Sequence, residues 1–228
     1  MYQPMLFLHW KQIRVGLIPL ALASFGLPLL MVQGLGSVPG LAGPSLDAYR
    51  LAREFSGWSV FFPVLAAAIG MTLALSAWNW DHQLKHVYAL SLPVARWEYA
   101  MLKMGAGAVL ALLPATALWL GAHLAVASVS IPQGLHAYPN QLALRFLIAI
   151  LLAYAAIFAL AAGSIKTTIW VASAFFGFLI LSSISASYLA QHFVLFQQQD
   201  PFSWVVHILF NSKGPFEVFN GHWVLIDV

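Results

Sequence analysis

If this chain performs chemistry on a substrate, it has few places to do it. Asp81, His82, His86 and Glu98 form its one close group of acid, carboxylate and imidazole side chains. His82 and His86 are four apart and share a helix face, which is the spacing of paired metal ligands. A zinc-protease helix carries Glu beside its first histidine, as the base that activates water. Residue 83 is Gln, and no nucleophile or complete ligand set accompanies the pair. Two polar residues on a solvated face account for it more simply. The enzymatic use of such a group would be lipid modification at one membrane face.

Other chemistries fall away quickly. There are no cysteines, which removes disulfides, thiolate zinc sites, iron–sulfur clusters and cysteine nucleophiles. His123 alone among eight histidines lies well inside an apolar run, and a haem would need a partner at matching depth. "GLGSVPG" (34–40) follows an apolar run instead of a strand, and no G-x-x-x-x-G-K-[ST] occurs, so this chain does not bind ATP by that device. Ion-coupled transporters and voltage sensors carry ionisable residues within the membrane. The apolar runs show no such relay. Ser183 and Ser187 share a face of the last long run, beside Ser182 and Ser185. They are candidates to line a substrate path, or to bond their own helix carbonyls.

The elements that would position these residues are membrane helices. Of 228 residues, 61% are hydrophobic and 7% charged, with a net charge of +3. A soluble domain is about half apolar and a quarter charged, so bilayer is the expected solvent, and the dispersed charge does not suggest nucleic acid. Five stretches meet the length of a helical span: about 15–32, 58–78, 99–128, 144–163 and 168–190. They are too long and too uniformly apolar for barrel strands. Pro19, Pro28, Pro63 and Pro114 lie inside them and are expected to mark kinks. "MGAGA" (104–108) and "LAAGS" (160–164) read as close helix contacts.

Residues 1–14 precede the first span. Leu6, Trp10, Ile13 and Leu17 recur at helical spacing with Lys11 and Arg14 off that stripe, as in a short interfacial helix. Ala21-Leu22-Ala23 resembles a signal-peptidase site, but the run continues to about Met31, longer than a signal core. An uncleaved span is expected. With the N-terminus cytoplasmic, Lys11, Arg14, Lys85, Arg96, Lys103 and Lys166 lie inside, against Arg50, Arg53, Arg145 and Lys213 outside. Beyond the fifth span, 191–228 reads as an external segment in which Phe202–Phe210 is too short to cross. "HWVLIDV" turns apolar again at the end, and a sixth span is expected to begin near Trp223, the rest of it missing from this sequence.

The connection between the second and third spans holds much of the scarce charge. From His82 to Leu90 it can form a short helix with Leu84, Val87, Tyr88 and Ser91 on one side and His82, Lys85, His86 and Ala89 on another. Leu92-Pro93 ends it, because a residue before proline avoids helical geometry. Arg96 completes the turn, and Trp97 restarts the chain at the interface.

This segment, "WDHQLKHVYALSLPVARWEYAMLKM" (80–104), resembles the region after the second span in permeases of exporter-type (type 2) ATP-binding cassette transporters. There an acidic residue ends the span, a short helix and a Leu-x-Leu-Pro-x-x-Arg turn follow, and a lysine opens the third span. Asp81, Leu90, Leu92, Pro93, Arg96 and Lys103 match, with Asp81 where Glu is common. The likeness covers the whole chain in layout and is specific over about 25 residues. It implies an all-α, polytopic six-span permease fold in a bacterial inner membrane, working as a homo- or heterodimer. It also implies a cytoplasmic ATPase subunit that carries ATP and Mg, with no cofactor on this chain. The 82–90 helix would be the coupling helix, with Asp81, His82, Leu84, Lys85, Val87, Tyr88, Leu92, Pro93 and Arg96 forming the ATPase-coupling region. The apolar, aromatic spans favour a hydrophobic or amphipathic cargo. The alternative is a membrane anchor or assembly subunit with no transport role.

Overall fold

The computed structural model describes residues 2–35, 60–83, 95–128, 135–163, 170, 173, 215–220 and 224–226. These are mostly helical. The helices are α1 (Tyr2–Leu35), α2 (Phe61–Gln83), α3 (Arg96–Leu110), α4 (Leu112–Ala127) and α5 (Pro139–Ala161). A 3-10 turn spans Glu217–Asn220, and two short strands, β1 (Leu135–Ala137) and β2 (Val224–Ile226), complete the described elements. Two compact units divide the chain, one of Met1–Ala162 with Val218–Val228 and one of Gly163–Glu217. The helix packing described below lies within the first.

Among the described residues, four segments are long and apolar enough to cross a membrane: His9–Met31, Phe61–Asn79, Trp97–Ala127 and Pro139–Ala161. This is the make-up of a membrane protein. Their outward faces are apolar, with Val15 79% and Leu152 56% exposed, as suits helices solvated by lipid. The fifth expected span, 168–190, lies outside the described residues except for Trp170 and Ser173, both helical.

Several boundaries differ from expectation. Residues 2–35 form one continuous helix, with no break near residue 14 between an interfacial piece and a span. At 1.5 Å per residue its 34 residues run about 51 Å, well beyond a hydrocarbon core of about 30 Å. Helical hydrogen bonding simply carries on through Lys11 and Arg14, both exposed. Pro63 sits in the first turn of α2, where its missing N–H has no helical partner to lose, so it makes no kink. Pro114 behaves as expected. It cannot donate to the Leu110 carbonyl, and the helix is interrupted at Ala111, between α3 and α4.

The sixth span is the clearest correction. Val224–Ile226, expected to open a membrane helix, is an extended strand antiparallel to β1, with Leu135 opposite Ile226 and Ala137 opposite Val224. Alternation of β-branched and long apolar side chains suits a strand as well as a helix start, and pairing with 135–137 decides it. The chain is therefore not purely α-helical.

Helix packing is set by small residues. α1 lies against α4 and α2 against α5. Gly121 lets α4 approach the Phe25 carbonyl of α1 so closely that any Cβ would collide with it. A Cβ at Gly70 of α2 would stand 2.7 Å from the Tyr154 backbone nitrogen of α5. Such contacts replace the hydrophobic drive that lipid does not supply. Between them lie Leu17, Ile69, Leu73, Leu118, Phe146 and Ile150, all fully buried. Phe62, at the start of α2, stacks on Phe219 at 5.7 Å.

Candidate functional site

Among the described residues the buried polar side chains are His9, Ser24, Asp81 and Lys103. Ser24 is satisfied within its own helix by the Leu20 carbonyl, 2.8 Å away. The other three gather where α1 begins, α2 ends and α3 begins.

Two helix faces make the centre of this site. On α2, Ala77 and Asp81 are one turn apart and Trp78 lies beside them; on α3, Tyr99 and Lys103 are one turn apart. Residues four apart share a helix face, so each helix presents a matched pair. Lys103 Nζ donates to Asp81 Oδ2 at 2.6 Å and to the Ala77 carbonyl at 2.7 Å. Its ammonium also lies 4.9 Å from the Trp78 ring centroid and 4.8 Å from that of Tyr99. Cation–π attraction there compensates the part of the ammonium that makes no hydrogen bond. The Tyr99 hydroxyl donates to Asp81 Oδ1 at 3.1 Å. Asp81 and Lys103 are 2% and 8% exposed, so water does little to screen the pair.

Two neighbours extend the cluster. His9 Nε2 on α1 lies 3.2 Å from Ser76 Oγ on α2, and the Lys103 charge is within electrostatic reach of that imidazole. From α5, the Tyr154 hydroxyl donates to the Lys103 carbonyl at 3.3 Å. It reaches there because residue 107 is Gly: a Cβ would occupy the space the phenol fills. The "MGAGA" glycine therefore serves close packing, as its sequence suggests. Tyr154 and Trp78 both pack on Phe158, at 5.5 and 5.1 Å between ring centroids.

This arrangement ties three helix ends together. No group of three or more His, Cys, Asp or Glu that could hold a metal occurs among the described residues. Asp81 points inward to Lys103 whereas Glu98 is exposed, so these two members of the acid–imidazole group face different surroundings. His82 lies in the last turn of α2, and His86 is outside the described residues.

The residues expected to form the coupling region divide in the same way. Asp81 is buried, so its side chain braces the helix ends from within. Arg96 is the first residue of α3. Leu84, Lys85, Val87, Tyr88, Leu92 and Pro93 lie outside the described residues, as do Ser183 and Ser187. Lys103, which the likeness puts at the opening of the third span, is buried within the Trp97–Ala127 segment. It is tolerated there because every part of its charge is met. Sequence reasoning missed Tyr99, Trp78, His9, Ser76 and Tyr154. The Tyr99–Lys103 spacing was a usable signal; nothing local pointed to His9 or Tyr154.

No protein-family model, curated protein or solved structure matches this chain.

Proposed function

We propose that this chain is the membrane-spanning subunit of an ATP-driven exporter of the type 2 ATP-binding cassette class. In this reading two such subunits pair in a bacterial inner membrane with their N-termini cytoplasmic. Each takes its power from a separate ATPase docked on the 82–90 segment, which holds the ATP and Mg. The cargo is hydrophobic or amphipathic.

One observation carries the reading, together with the sequence likeness of residues 80–104: the Asp81–Lys103 ion pair, braced by Tyr99, joins the two ends of the connection that the ATPase would push. α2 ends at Gln83 and α3 begins at Arg96. With Asp81 bound to Lys103 across that gap, a force on the connection moves both helices together. Separating a buried pair leaves uncompensated charge, at a cost of about 3–5 kcal/mol, so the joint resists the load. Motion then passes to α5 through Tyr154, which touches both Gly70 and the Lys103 carbonyl, and to α1 through His9 and Ser76.

The test is to purify the tagged chain from its native membrane in mild detergent, identify what accompanies it and assay ATP hydrolysis. A stoichiometric soluble ATPase, lost when Leu84→Glu or Tyr88→Glu is introduced, is expected. A chain accompanied only by other membrane subunits would move the assignment to an anchor or assembly role.

A further inference from the structure

A second polar cluster stands at the opposite helix ends, where α4 finishes and α5 starts. Trp119 Nε1 donates to Asn140 Oδ1 at 2.7 Å, and His123 Nε2 lies 3.1 Å from the same oxygen. The two rings meet edge to face at 4.8 Å. Unlike the Asp81 cluster, this one is open: Trp119 is 41% exposed, and His123 and Asn140 are exposed.

Counting donors fixes its chemistry. An indole N–H only donates, so the Asn140 atom facing it is the oxygen and the amide nitrogen points elsewhere. A carbonyl oxygen only accepts, so His123 Nε2 carries the proton and, in the neutral ring, Nδ1 is an acceptor. Among the described residues neither the Asn140 amide N–H groups nor His123 Nδ1 has a partner. The surface therefore presents one donor group and one acceptor, on two residues joined through the Asn140 oxygen and flanked by an exposed indole.

Its depth says what meets it. Trp97–Ala127 is 31 residues, about 46 Å long, against a hydrocarbon core of about 30 Å. His123 is four residues from the end of α4, about 6 Å. Asn140 is the second residue of α5. With the segment centred on that core, both would fall in the zone of lipid headgroups.

We propose that Trp119, His123 and Asn140 form a binding site for a phospholipid headgroup bearing a primary ammonium. A phosphate oxygen accepts from the Asn140 amide, and an ammonium N–H donates to His123 Nδ1. The ammonium lies beside the Trp119 ring, where cation–π attraction adds to the bond. A quaternary choline headgroup shares the phosphate and the cation but has no N–H to give, so the site distinguishes the two.

The test uses the full chain in nanodiscs of equimolar phosphatidylethanolamine, phosphatidylcholine and phosphatidylglycerol with identical acyl chains. Retained lipids are counted by mass spectrometry after detergent exchange. Phosphatidylethanolamine is expected to be retained at least about ten-fold over phosphatidylcholine, the scale of one hydrogen bond involving a charged group. The N-methyl and N,N-dimethyl lipids, which keep an N–H, should still be preferred over phosphatidylcholine. His123→Phe, which keeps the ring and removes the acceptor, should abolish the preference. Equal retention across the methylation series, a preference unchanged in His123→Phe, or stronger retention of phosphatidylglycerol would each overturn the proposal. So would a disulfide-linked pair of His123→Cys chains in the bilayer, which would show a second copy covering the site.

Discussion

Lys103 Nζ and Asp81 Oδ2 are 2.6 Å apart and come from two helices whose facing ends bracket one connection. Neither residue alone suits its place: an isolated ammonium or carboxylate at that burial is strongly unfavourable. Together, with the Ala77 carbonyl and the Tyr99 hydroxyl, they form a satisfied unit.

The pair should show strong non-additivity. Lys103→Met leaves a buried carboxylate without its counter-ion and is expected to destabilise the chain by about 3–5 kcal/mol; Asp81→Leu, which leaves the ammonium without its own, should cost about as much. The double variant should recover most of that loss. Thermal unfolding of the four proteins in one detergent measures the coupling; additive losses would mean the pair contributes little.

Tyr99→Phe keeps the ring over the Lys103 ammonium and removes only the hydroxyl that donates to Asp81. A smaller loss is expected, about 1–2 kcal/mol, read in the same unfolding assay. On a Lys103→Met background the hydroxyl becomes the main remaining partner of the carboxylate, so the loss should grow.

Gly121 and Gly26 provide a paired test of packing. Gly121→Ala drives a Cβ into the Phe25 carbonyl, whereas nothing lies within 4 Å of a Cβ at Gly26. Gly121→Ala should lower stability by about 1–3 kcal/mol, the usual penalty of overpacking. Gly26→Ala should be neutral or slightly stabilising, through its better helix propensity. Yield and unfolding midpoint report both.

The proposed orientation can be read with single cysteines, because the chain has none of its own. Lys11→Cys and Glu98→Cys are exposed positions at the Asp81 end, and His136→Cys is exposed at the other. In intact cells a membrane-impermeant thiol reagent should modify His136→Cys and spare the other two. Labelling of Lys11→Cys from outside would invert the topology and remove the cytoplasmic ATPase from reach of residues 82–90.

How much of this was legible beforehand varies with the range of the interaction. The apolar runs located four of the membrane segments, because burial in lipid depends on composition along the chain. Pro114 marked its interruption correctly, since a missing N–H acts one turn away. Pro63 did not, because its effect depends on where the helix begins, and α2 begins at Phe61. Lys103 was visible as a lysine opening the third span, but the groups that meet its charge were not.

Amino-acid sequence by itself determined the solvent, the helical repeat and the face that Tyr99 and Lys103 share, all of which arise from residues a turn or two apart. Tertiary structure decided which faces met. His9 finds Ser76 across 67 positions, Tyr154 reaches Lys103 across 51, and Val224–Ile226 becomes a strand because residues 135–137 lie open beside it. Each of those contacts gives a polar group a partner from an element far along the chain. In a bilayer, where the core offers no water as a substitute, the need for such partners selects among packings that apolar contacts alone would leave nearly equal.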